Sequence, residues 1–347
     1  MLRTLTSQLK DLSSLDPIQV KQAVTLLVDE KGALEDKADF LGALNAKGET
    51  PSEIAAFAQE LRALSIRPDL DPRTRAEEIL DVCGTGGDKL NTFNISTTVA
   101  IVAAAAGIAV AKHGNRAITS QSGSADVLEE LGIPTNLSPQ KAAKSLREQQ
   151  FAFFFAPNYH PAFKQLGPVR KLCAERGNRT IFNFLGPLLN PAQPTAQLLG
   201  VPRPDLCEHL AHVLQQLGSR RAMVVSGWVG EGYLDEMSTL GATTIAEYYQ
   251  DRGFNTSVLD PVHFRFLPGN IESLRGGDRK ENAATLRLIL SGQERGPKRD
   301  AVLLNSGAAL FVGGKVKSLT QGMEYAAELI DGGKAGQKLD ELVRYRP

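Results

Sequence analysis

One short stretch limits what this chain can fold into more than any other. Ile79-Leu80-Asp81-Val82-Cys83 is an apolar run of buried-strand length that passes directly into Gly84-Thr85-Gly86-Gly87-Asp88, and a helix opening follows at Asn94-Ile95-Ser96-Thr97-Thr98. A strand that ends in glycines and feeds a helix is the repeating joint of α/β folds. The pattern continues, with a helix expected over 97–106, a second strand at 108–111, and further strands at 151–155, 222–225 and 301–304 separated by helical periodicity. Residues 73–347 therefore read as one large α/β unit with a central, mostly parallel sheet flanked by helices.

The first 72 residues have a different texture. Asp16-Pro17 supplies a cap and a pre-set first helical position, followed by Val20, Val24, Leu27 and Val28 on one face. Thr50-Pro51-Ser52-Glu53 is a capping box ahead of Ile54, Phe57, Leu61 and Leu64. No strand pattern interrupts them, so 1–72 reads as a small all-helical domain. Residues 157–194, rich in Pro, Gly and Asn, read as irregular segments and short helices, with part of about 160–194 expected to pack back on that domain.

The glycine loop carries the first chemical signal, because absent side chains let a phosphate approach backbone N–H groups. Lys89 stands where a dinucleotide fingerprint needs its third glycine, and no Gly-Lys-Ser/Thr follows, so neither the dinucleotide fingerprint nor the P-loop applies. Alone, the loop equally fits a plain strand-to-helix turn. The helix start at Asn94 to Thr98 adds hydroxyls and the free amides of a first turn, and the two together read as a pyrophosphate cradle. Lys112-His113-Gly114-Asn115-Arg116, placed just beyond the second strand with Thr119, Ser120, Ser122 and Ser124 following, reads as an anion clamp. Asp235-Glu236, after a strand and a loop expected to contain Gly227, Gly230 and Gly232, suits magnesium, which takes few protein carboxylates and bridges to substrate phosphates; a solvated acidic turn is the alternative.

Composition bounds the rest. With 39 basic and 39 acidic residues the chain has no excess charge for nucleic acid or an anionic membrane, so any anion must be gripped locally. Cys83, Cys173 and Cys207 are too far apart for a metal motif and odd in number, which points to a reducing cytoplasm. The longest apolar run, 99–111, is too short to span a bilayer. His209 and His212 read as positions on a surface helix, Cys83 as a small core residue, and Trp228 as either a lid or loop packing.

Taken together, these residues resemble the anthranilate phosphoribosyltransferases. The similarity spans nearly the whole chain through Gly84 to Asp88, Asn94 to Thr98, Lys112 to Arg116, Ser122-Gly123-Ser124-Ala125-Asp126, His160-Pro161-Ala162, Pro168-Val169-Arg170, Arg179-Thr180-Ile181-Phe182-Asn183, Leu185-Gly186-Pro187, Leu234-Asp235-Glu236, Arg275-Gly276-Gly277-Asp278 and Leu304-Asn305-Ser306. The resemblance implies a nucleoside-phosphorylase-like phosphoribosyltransferase fold, a homodimer, and transfer of the phosphoribosyl group of phosphoribosyl pyrophosphate to anthranilate with Mg2+. It implies that Gly84, Gly87, Asp88, Thr92, Asn94, Ile95, Ser96 and Thr97 hold the donor together with Lys112, His113, Gly114, Asn115, Arg116, Ala117, Ile118, Thr119, Ser120 and Ser124. It further implies that Gly84, Asn115 and Arg170 meet anthranilate, that Ser96, Asp235 and Glu236 bind the metal, and that Lys112, Asn115 and Arg170 carry the chemistry.

The chain departs from the pattern in three places: a longer link at 171–178, an addition at 228–233, and Gln121 where a basic residue is common. Two other readings compete, a pyrimidine nucleoside phosphorylase and a non-catalytic nucleic-acid-binding relative. The first carries a different glycine signature and lacks the Lys-His-Gly-Asn-Arg run; the second wants a basic stripe.

Overall fold

The computed structural model describes residues 1–117 and 121–347. Four helices open the chain: α1 (Leu2–Lys10), α2 (Pro17–Val28), α3 (Leu34–Lys47) and α4 (Pro51–Ala63). Asp16 and Thr50 both close capping boxes, with Gln19 and Glu53 as the reciprocal partners, each cap contributing about 1 kcal/mol to the helix it starts. Glu53 also accepts the Leu15 amide at 3.0 Å and the Lys47 ammonium at 2.8 Å, so one buried carboxylate ties three helices' ends together.

Eight strands follow among the described residues: β1 (Ile79–Gly84), β2 (Ala109–Gly114), β3 (Phe151–Phe155), β4 (Ala196–Gly200), β5 (Arg221–Trp228), β6 (Tyr233–Leu234), β7 (Thr243–Tyr249) and β8 (Gly253–Leu259). They form one sheet in the order β3-β2-β1-β4-β5-β7-β8, parallel from β3 to β5 and antiparallel beyond it, with the short β6 pairing β5. The register sets Gly84 beside Gly200, which brings the carboxyl ends of β1 and β4 level.

Strand alternation sorts the core into two faces. Leu80, Val82, Val110, Leu198, Met223 and Val225 pack under the helix Ile95–Ala105 and the C-terminal helices. On the opposite face Cys83, Leu199, Val201, Ala222 and Val224 share one buried cluster with α1 to α4, with the helix Leu206–Gln216 and with Leu166 to Leu189. None of the helices among the described residues is long and apolar enough to cross a membrane.

Three expectations are corrected. Residues 301–304 are not a strand but the buried middle of the helix Pro297–Val312, because a short apolar run on its own does not distinguish strand from buried helix; Pro297 at the first turn was the available signal. The second strand extends to Gly114, so Lys112 and His113 lie inside the sheet instead of in a loop beyond it. Likewise Gly227 belongs to β5. Strands β4, β6, β7 and β8 escaped the sequence reading altogether. Gln197 inside β4 masks its apolar run, and β7 and β8 are an edge ribbon whose outer strand is largely exposed.

Candidate active site

The candidate site lies at the carboxyl ends of β1, β2 and β4, where parallel sheets present ligands. Gly86 and Gly87 have φ of 74° and 86°, and nothing lies within 4 Å of the Cβ either would carry, so these two glycines are required by backbone conformation. The loop is pinned by the Thr85 amide donating to the Gly200 carbonyl at 2.9 Å and the Gly86 amide donating to Asp235 Oδ2 at 2.7 Å. The amides of Gly87 and Asp88 make no hydrogen bond among the described residues.

Gly84 is needed for a different reason. A Cβ there would sit 2.1 Å from Asp235 Oδ2, and one on Gly200 only 1.5 Å from the Asp235 carbonyl oxygen. The two neighbouring strands therefore end in glycines so that the Asp235-Glu236 turn can rest on them. Gly200 was not singled out from the sequence; its only signal was a glycine at the end of an unrecognised strand.

The two carboxylates face the helix start. Glu236 Oε1 accepts the Ser96 amide at 3.1 Å, in the first turn where the helix dipole favours negative charge. Burial raises the Asp235 carboxyl above its usual range, and the charge of Asp88 adds to the rise; burial followed by the charge of Asp235 does the same to Glu236. Lys112, 1% exposed, donates to the Val82 carbonyl at 2.7 Å and to Ser96 Oγ at 3.2 Å. Its charge lies beneath the cradle, between β1 and the helix start, and opposes the rise of Glu236.

Among the described residues no three His, Cys, Asp or Glu side chains close around a metal-sized point. Asp88, Asp235 and Glu236 nonetheless fit magnesium. They are hard oxygen donors crowded together, with Asp235 and Glu236 raised by burial and by neighbouring carboxylate charge, and magnesium asks for one or two such ligands plus water and phosphate oxygens.

A second layer braces the helix start. Asn282 Nδ2 donates to Asn94 Oδ1 at 3.0 Å while its Oδ1 accepts the Gly277 amide at 2.9 Å. Thr92 bridges to Arg275, and the Phe93 amide donates to the Leu274 carbonyl. Asn282 is a positioning residue that the sequence reading missed, because a single Asn on a helix carries no local signal. Ile95 and Thr97 are buried, and the Thr97 hydroxyl has no hydrogen-bond partner among the described residues.

Beyond β2, Asn115 Oδ1 accepts the Arg116 amide at 2.8 Å, and the Asn115 carbonyl accepts the Ser124 hydroxyl at 3.4 Å. Arg116 pairs with Glu129 at 2.7 Å and lies 4.7 Å over the Phe155 ring. Asp126 Oδ2 accepts the amides of Ala117 and Gly123, and Gly114 leaves room for Ser124 Oγ. Ile118, Thr119 and Ser120 lie outside the described residues.

Arg170 is brought to this end by a chain of rings. His113 Nε2 lies 3.2 Å from His160 Nε2, His160 packs edge-on to Phe163, and the Arg170 guanidinium sits 5.9 Å from the Phe163 centroid and 5.7 Å from that of Phe182. Burial holds His113 at about 3 and His160 at about 4, so both rings are neutral at pH 7. Arg170 forms no ion pair among the described residues, and its neighbours are aromatic faces: a slot that fits a flat ligand carrying a carboxylate. Of the minor candidates, His212 stacks on Phe254 at the surface, Cys83 is buried, and Trp228 packs against Tyr233.

Comparison with known proteins agrees with this geometry. Residues 76–336 match the family described as "Glycosyl transferase family, a/b domain". The chain is 46% identical over 325 residues to the anthranilate phosphoribosyltransferase of Methanocorpusculum labreanum, covering 91% of this chain and 92% of that protein. It is 43% identical to that of Listeria innocua, covering 99% and 98%. In three dimensions it superposes on the Thermus thermophilus anthranilate phosphoribosyltransferase with a TM-score of 0.87 at 38% identity, covering 98% of both chains. It also superposes on the Saccharomyces cerevisiae enzyme in complex with PRPP and Mg, with a TM-score of 0.83 at 28% identity over 99% and 96%. None of these relatives is a nucleoside phosphorylase or a nucleic-acid-binding protein. The chain belongs to the anthranilate phosphoribosyltransferase family.

Proposed function

We propose that this protein transfers the 5-phosphoribosyl group of phosphoribosyl pyrophosphate to the amine of anthranilate, forming the N–C1 bond as the C1–O bond to pyrophosphate breaks. The observation that carries this reading is the open-amide glycine loop set against the Asp235-Glu236 pair at the same strand ends. As the bond to pyrophosphate lengthens, positive charge grows on the ribose and negative charge on the leaving group. The amides of Gly87 and Asp88 and the start of the helix at Ser96 meet that negative charge, with Lys112 fixing Ser96 from below. Ser96, Asp235 and Glu236 would hold magnesium, which when bound would neutralise charge at the departing phosphates. The remaining donor contacts are assigned to Asp88, Thr92, Asn94 to Thr97 and His113 to Ser120 with Ser124.

Arg170 pairs with the anthranilate carboxylate, and Gly84 and Asn115 line the approach of the amine. That amine already carries a usable lone pair, so positioning supplies most of the catalysis and no strong base is needed. Residues 1–72 with part of about 160–194 form the smaller of two domains, 73–347 the larger, and the active species is a homodimer in the cytoplasm. Loss of anthranilate fluorescence on adding the donor, with and without magnesium, tests donor, acceptor and metal together. Fluorescence unchanged under every condition overturns the assignment.

A further inference from the structure

At the opposite end of the sheet, ahead of β4 and β5, lies a cavity of about 340 Å3. It is separated from the glycine loop by the length of β4, about 16 Å for five residues. One wall is Gln59, Arg62 and Arg67, from α4 and the segment after it; the other is Gln193, Thr195 and Gly218, from the turns that enter β4 and β5. No acidic residue lines it.

Arg62 is 8% exposed, and its one hydrogen bond runs from Nε to the Leu188 carbonyl at 2.5 Å; the two terminal nitrogens have no partner among the described residues. A guanidinium this buried, with no carboxylate in ion-pair reach, is costly to hold unless an anion completes it. Arg67 adds a second positive charge on the same wall, and the repulsion reaches Arg62 and Arg75 alike. The acid whose charge reaches Arg62 is Asp81, which makes no ion pair with it and accepts the Asn190 side-chain amide at 2.9 Å; Glu78 is committed to Arg220 at 3.1 Å and to the Thr195 hydroxyl at 2.7 Å. Gln193, at φ 51°, holds a left-handed conformation in the facing turn.

We propose that this cavity is a binding site for a phosphate-class oxyanion, gripped by the forked end of Arg62 and by Arg67 and completed by the side-chain amides of Gln59 and Gln193. Such an occupant joins α4 to the turns that enter β4 and β5, and it is independent of the donor site. The test uses crystals grown without oxyanions and soaked in selenate, together with equilibrium dialysis of labelled inorganic phosphate. The wild-type protein gives an anomalous peak beside Arg62, distinct from any peak at the glycine loop. Arg67→Gln, an exposed position, folds normally, loses the cavity peak and weakens the corresponding phosphate binding about tenfold, the loss expected for one charge-assisted group. Arg67→Lys retains partial binding. A wild-type crystal with no peak in the cavity, or an Arg67→Gln protein with an undiminished one, overturns the proposal.

Discussion

At the carboxyl ends of β1 and β4 the site is made of backbone and buried carboxylates locked to one another, whereas around Arg170 it is one long side chain laid between two rings. Gly84, Gly200 and Asp235 interlock so closely that an added methyl group has nowhere to go. Arg170 is exposed and shares only ring faces. The difference suits the two tasks. Charge developing on a leaving pyrophosphate needs dipoles fixed in advance, while a flat acceptor needs a slot it can enter and leave.

Experiments at the rigid end should show the largest effects. Asp235→Asn with Glu236→Gln is expected to lower kcat about 1000-fold and to shift the magnesium titration, since it removes both carboxylates from the charge-handling end; an unchanged titration would separate these residues from the metal. Gly200→Ala is expected to cut kcat/KM about 100-fold by displacing the Asp235 carbonyl, the scale of loss that follows a 1 Å misplacement. If activity survives intact, the interlock is not what positions the carboxylates.

At the acceptor end the effect should be smaller and of another kind. Arg170→Ala is expected to raise the KM for anthranilate about tenfold with the donor KM unchanged, as for one lost charge-assisted contact. A rise in the donor KM alone would move the acceptor slot elsewhere. Asn282→Ala should lower kcat/KM a fewfold, roughly one neutral hydrogen bond's worth, by loosening Asn94, and leave the anthranilate KM alone.

The least effect is expected from pH. His160 titrates near 4 in the folded chain against about 6.5 when unfolded, so the unfolded state binds more protons between those values. Stability is therefore complete above about pH 6.5 and falls as pH drops toward 4, with Tm falling by about 5 °C from this residue. His160→Gln should flatten that part of the profile. An acid limb of the stability profile that is unchanged in His160→Gln would show that His160 is not the group responsible.

Much of this was legible without coordinates. The glycine loop, the helix start and Asp235-Glu236 are each marked by local residue types whose physics is short-ranged: a positive φ, an N-terminal turn, adjacent carboxylates. Arg170 carries no such local signal and was named only through the resemblance. Lys112 was legible as a residue and not as a place. Its charge suggested a loop facing solvent, yet strand alternation turns it inward, where Val82 and Ser96 satisfy it. Residues 301–304 show the same limit, since apolar runs of strand and buried helix look alike until their neighbours are known.

The sequence alone determined the α/β class, the helical start of the chain, the absence of excess charge and the residue types gathered at the glycine loop and the helix start, because periodicity, caps and glycines act over a few positions. Only the tertiary structure decided that β4 lies between β1 and β5, that Gly200 and Gly84 jointly seat Asp235, that Asn282 steadies Asn94, and that Arg62 lines a cavity with no acidic residue in its walls. These pairings join residues from tens to nearly two hundred positions apart. Packing and register set them, and no local pattern encodes either.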